Sequence, residues 1–198
     1  MGVMYHRMAY VPTIPDWFLT RKAAQVTAFF ALKSEGVINI LKATKLVYLS
    51  DRRSLDLRDF PITNDQYVSM AFGPVNSYTY SYMTGVAPIR QEEWFEFIAA
   101  RHGNDLRLAQ EIDVEDLDEL SRGDLRILEA VWEEFKDIDR FDLADWTHRF
   151  CPEWVDPRRS SIPIEMASLL NALQKQDPIG LAEDLQDERR LLAGFRAP

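Results

Sequence analysis

The stretch "SRGDLRILEAVWEEF", residues 121–135, constrains the fold more than any other. Ser121 and Asp124 stand at the spacing at which a helix cap and the third helical residue exchange hydrogen bonds, with Asp in place of the usual Glu. Leu125, Leu128, Val131, Trp132 and Phe135 then recur at three- and four-residue steps, which predicts a helix with a single apolar stripe. Such a stripe needs a core to lie against. The chain has 198 residues, 46% of them hydrophobic, enough to bury one substantial core, so a single domain with decorations is expected.

Other segments repeat the helical period. From Thr20, a candidate cap, Ala23, Ala24, Val26, Thr27, Phe30 and Ala31 predict a first helix ending near Gly36. Asn39 is placed to cap a second, carrying Leu41, Thr44, Lys45, Tyr48 and Leu49 inward and leaving Lys42 and Arg52 to water. The period then changes. Ile62, Tyr67, Val68 and Met70 around "TND" predict a short hairpin, and Gly73-Pro74 is expected to open a helix running to Thr84 and closed by Gly85. Phe95 and Phe97 alternating with Glu96, followed by the turn signal "HGND", predict a second hairpin. "DLADWTHRF" reads as a helix broken at Cys151-Pro152, and Ser161-Ile162-Pro163 as the start of another through Lys175. The fold class expected is therefore α+β: a mainly α-helical compact domain with one or two small β-hairpins. Residues 1–19 read as an irregular arm, 20–176 as the domain, and 177–198 as a terminal helix or tail.

Several chemistries find no motif. Cys151 is the single cysteine, so neither an intrachain disulfide nor a thiolate zinc cluster forms within one copy. His6, His102 and His148 belong to no metal-binding pattern, and no nucleotide or dinucleotide glycine motif occurs. The run Asp113, Glu115, Asp116, Asp118 and Glu119 lacks the central glycine of a calcium loop and reads as a solvated face. No catalytic residue, metal or cofactor is expected. The one nucleophilic arrangement to weigh is His148 with Cys151, spaced for one helix face but without a glycine-rich oxyanion turn nearby. The net charge of −9 disfavours nucleic acid, including autoregulation through DNA, and suits a basic protein partner. Apolar runs such as "QVTAFFAL" fall short of a membrane span, and the N-terminus lacks the apolar region of a secretion signal, so the expected location is the cytoplasm.

The aromatics around Gly73-Pro74 admit two readings, a packed corner of the core or a ligand contact. In the arm, Tyr10, Trp17 and Phe18, with Val11 and Ile14, are candidate partner contacts, because interfaces favour aromatic anchors.

Three separated blocks, "KATKLVYLSDRRSLDLRDFPITNDQYVSMAFGPVNSYTY", "LDELSRGDLRILEAVWEEF" and "LADWTHRFCPEW", together resemble the Panacea domain family, which includes the SocA-like antitoxins. The first resembles that family's helix with a Lys-Leu and aromatic core, a small hairpin and a Gly-Pro-Val corner. Here these are Lys45, Tyr48, Tyr67, Phe72, Gly73, Pro74 and Val75. A Leu-Ser signal follows at Leu120-Ser121, then a Thr-His pair, Thr147 and His148, with Trp154 downstream. The resemblance spans roughly residues 20–160 and implies a compact, mainly helical α+β domain. It also implies a role in neutralising a cognate toxin encoded beside it, by direct binding or by adaptor delivery to a ClpXP-type protease. The arm and the tail lie outside the matched blocks.

Overall fold

The computed structural model describes residues 13–158 and 160–196. Helix α1 (Thr20–Lys33) carries Ala23, Ala24, Val26, Ala28, Phe29 and Phe30 into the core on nearly every side, as suits a central helix. Leu19 rather than Thr20 holds the cap position, and the Thr20 hydroxyl instead meets the Tyr82 hydroxyl at 3.0 Å. Strand β1 (Val37–Asn39) follows, and Asn39 caps α2 (Ile40–Arg58) by accepting from the Leu41 amide at 3.0 Å.

Helix α2 is the hub. It packs against α1, against α5 (Arg122–Phe135) and α6 (Arg140–Phe150), and against strand β3 (Gly73–Asn76). Lys42 and Arg52 are not left to water. The Lys42 amine donates to the carbonyls of Phe135 and Ile138, satisfying the exposed end of α5, while Arg52 pairs with Glu153 at 2.8 Å. The box at Ser121 and Asp124 forms in both directions, and Asp124 also takes Arg58 at 2.7 Å and Lys22 at 3.1 Å. The stripe of α5 buries Leu128, Val131 and Phe135.

Two small antiparallel sheets lie among the helices. In one, β1 pairs with β4 (Asp105–Arg107), Ile38 opposite Leu106. In the other the order is β3-β2-β5, with β2 (Tyr67–Met70) between β3 and β5 (Ile162–Ile164). Here the expectations for Gly73-Pro74 and Ile162-Pro163 are corrected. Neither proline opens a helix; each sits in an edge strand, Pro74 opposite Ser69 and Pro163 opposite Val68. An edge strand has one side free of ladder bonds, so a residue without an N–H fits there as well as in a first helical turn. Helix α3 (Ser77–Thr84) starts only after β3 and ends at Gly85 with φ +77.

The second expected hairpin forms only in part. Residues Gln91–Phe95 form α4, and the buried Trp94, Phe97 and Ile98 follow helical rather than alternating spacing. The "HGND" turn does occur, closed by the His102–Asp105 bridge, and Ile98 pairs antiparallel with Leu108 beyond it, but β4 takes β1 as its strand partner. The chain closes with α7 (Met166–Ala172) and α8 (Pro178–Arg196), which pack on each other. Arg189 of α8 donates to the Asn64 side chain and the Asp65 carbonyl and lies over the Trp17 ring. Among the described residues, eight helices and two small antiparallel sheets make a mainly helical α+β fold.

The described end of the arm, residues 13–19, contains no helix or strand, yet it is part of the core. Phe18 has 0% of its surface exposed and packs edge-on against Tyr78, so it is corrected from partner contact to core residue. Trp17 is half-buried beneath Arg189, and Tyr10 lies outside the described residues.

Candidate functional site

The residues expected at the Gly-Pro-Val corner converge where β3 meets α2 and α6. Gly73 has φ +98, a conformation open chiefly to glycine. A Cβ there would overlap the Thr147 hydroxyl and stand 3.1 Å from the Lys45 amine. The absent side chain thus lets a strand and two helices meet at one point. Lys45 is wholly buried and donates to the Pro74 carbonyl at 2.8 Å. Burial disfavours its charged form and pushes its pKa down to about 7. The Thr147 hydroxyl turns back to the Ala144 carbonyl at 2.7 Å, and Val75 is buried.

Beyond α6 the chain folds back over the hairpin. The Trp154 indole donates to the Met70 carbonyl at 2.9 Å, and the Val155 amide donates to the Ser69 hydroxyl. His148 stacks on Trp154 with ring centroids 4.1 Å apart. Burial and then the nearby Lys45 lower its pKa, which favours the neutral imidazole. Cys151 is fully buried, and burial with the neighbouring Glu153 carboxylate pushes its thiol up to about 12. A nucleophilic cysteine needs a depressed value. His148 and Cys151 share no hydrogen bond among the described residues, so they do not form an activated pair.

Three acidic groups that sequence reasoning missed hold this region together. Glu153 accepts from the Tyr48 hydroxyl at 2.5 Å and from Arg52 at 2.8 Å, tying the turn after α6 to α2. Asp51, also on α2, accepts from the amides of Ile62 and Thr63, the Thr63 hydroxyl, the Tyr67 hydroxyl and the Asn76 amide. Asp65 accepts from the Tyr78 and Thr79 amides and the Thr79 hydroxyl, closing the N-terminus of α3 from a distance. Burial raises both aspartates above the usual carboxylate range, Asp65 to about 7. For Asp51 a signal was available: with Tyr48 and Leu55 it follows the inward spacing of α2. Tyr67 meets Tyr48 edge-on at 5.8 Å as part of this packing.

Phe72 does not join the core. It sits at the hairpin turn, 58% exposed, 6.5 Å from the ring of Phe141, itself 52% exposed at the start of α6. The two rings stand at the mouth of a groove of about 530 Å³ walled by Ile40, Leu41, Met70 and Val75 and reaching Lys45. A second cleft, about 360 Å³, runs between β5 and α8. Among the described residues no cluster of three or more His, Cys, Asp or Glu side chains is arranged to hold a metal, and no helix is long and apolar enough to cross a membrane.

The family model described as antitoxin SocA-like, Panacea domain, matches residues 44–155, more than half of the chain. The match begins one residue before Lys45 and ends one after Trp154, enclosing the corner just described. No curated protein and no solved structure matches the chain.

Proposed function

Because the chain belongs to the SocA-like, Panacea domain family of antitoxins, we propose that it neutralises a cognate toxin by binding it directly, with the rim around Phe72 and Phe141 as the contact. One observation carries this reading: the matched region buries most of its motif residues, yet Phe72 and Phe141, each more than half exposed, stand with their rings 6.5 Å apart. Exposed paired aromatics make good interface anchors, giving large contact area for few lost rotors. The chemistry at the corner also favours binding over turnover, since its cysteine is buried with a raised pKa and its histidine is stacked.

The test mixes the purified chain with the purified protein encoded by the neighbouring gene. Recovery of the toxin's target without any protease, through a stable stoichiometric complex, is the expected result. Protection that appears only with a ClpXP-type protease and ATP assigns delivery instead of masking. No protection under either condition overturns the proposal.

A further inference from the structure

We propose that the groove behind Phe72 and Phe141 is a binding site for a small molecule with an apolar body and one carboxylate, the carboxylate lying against Lys45. This goes beyond toxin binding and does not depend on it.

The groove is of ligand size. At about 530 Å³ it falls within the range of about 300–1,000 Å³ typical of small-molecule pockets. Ile40, Leu41, Met70 and Val75 offer hydrocarbon walls, and the two phenylalanine rings flank the opening. Such a lining selects an apolar body.

Its charge runs against the rest of the molecule. The chain carries −9 overall, yet none of the residues lining this groove is acidic, and two are cationic, Lys45 and Arg140. Neither has a carboxylate partner among the described residues. Arg140 lies over the Phe141 ring at 4.9 Å, and Lys45 donates to one backbone carbonyl although an ammonium carries three protons. A buried cation without a counter-ion is unfavourable, and the fall of Lys45 to about 7 expresses that cost. An incoming carboxylate supplies the missing charge and accepts the remaining protons. The Gly73 backbone comes close to the amine, a Cβ there standing 3.1 Å from it.

The experiment is a titration of the full chain, followed by amide chemical shifts, with a panel of straight-chain and aryl-alkyl carboxylates such as 4-phenylbutyrate, each paired with its neutral amide. Saturable shifts centred on Phe72, Gly73 and Phe141 are expected, with the acid binding about tenfold or more tighter than its amide, as one charge-assisted hydrogen bond allows. In Lys45→Met the acid and amide bind equally, while a thermal melt reports whether the variant is folded. In Phe72→Ala both weaken together and the preference for the acid survives. The proposal is overturned if acid and amide bind the native chain alike, if shifts centre elsewhere, or if no carboxylate of the panel binds at millimolar concentration.

Discussion

Asp51 and Lys45 lie less than two turns apart on α2, both without exposed surface, and they are provided for in opposite ways. Asp51 receives five hydrogen bonds from β2, β3 and the loop after α2. Lys45 makes one. A buried carboxylate so supplied works as a structural node, whose loss strands many donors at once. A buried amine with one acceptor adds little to cohesion, and its presence points to a demand other than folding.

The contrast is most exposed to Asp51→Ala. With its donors left unpartnered, this variant should lose about 3–5 kcal/mol of unfolding free energy in urea. If it loses less than Lys45→Met, the contrast fails. Next comes Gly73→Ala, which combines a left-handed backbone with an overlap on Thr147 and should cost on the order of 3 kcal/mol. Pairing it with Thr147→Ala should recover part of that loss, because the double variant removes the overlap but keeps the backbone strain.

A pH series sharpens the carboxylate side. Asp65 titrates at about 7 in the folded chain and near its ordinary value of 3.8 when unfolded, so the folded state holds the extra proton between these values. Its contribution is greatest below about pH 4 and is lost as pH rises through 7. Asp65→Asn should flatten that fall in a urea series from pH 4 to 7. Lys45→Met should change stability by no more than about 1 kcal/mol in either direction, since it removes a poorly paired charge and frees one carbonyl. The smallest stability effect belongs to Phe72→Ala, about 0.5 kcal/mol or less, accompanied by weakened toxin neutralisation.

Much of the helical frame was legible because its signals are local. Ser121 with Asp124, Asn39 before α2 and Gly85 after α3 mark helix ends by the hydrogen bonds or dihedral angles those residue types provide. Pro74 and Pro163 misled for one shared reason: a missing N–H suits a first helical turn and an edge strand equally, and only the neighbouring strand decides. The family resemblance named Lys45, Gly73 and Thr147 as motif residues. Their contact was not legible, because it depends on α2, β3 and α6 meeting in space. Asp65 and Glu153 stayed hidden among ordinary surface-type residues, since their partners lie on other elements. Phe18 looked available in an irregular segment, yet packs beneath Tyr78 and Tyr82.

The missing side chain at position 73 also divides what inheritance can vary. Any amino-acid replacement there inserts atoms where Thr147 already stands, so this spot tolerates almost no drift. Positions 72 and 141, one on either side, point away from everything the polypeptide needs to stay assembled. On the proposed reading, lineages that acquire new antagonists should therefore diverge at those two codons first, while the glycine beneath them stays fixed.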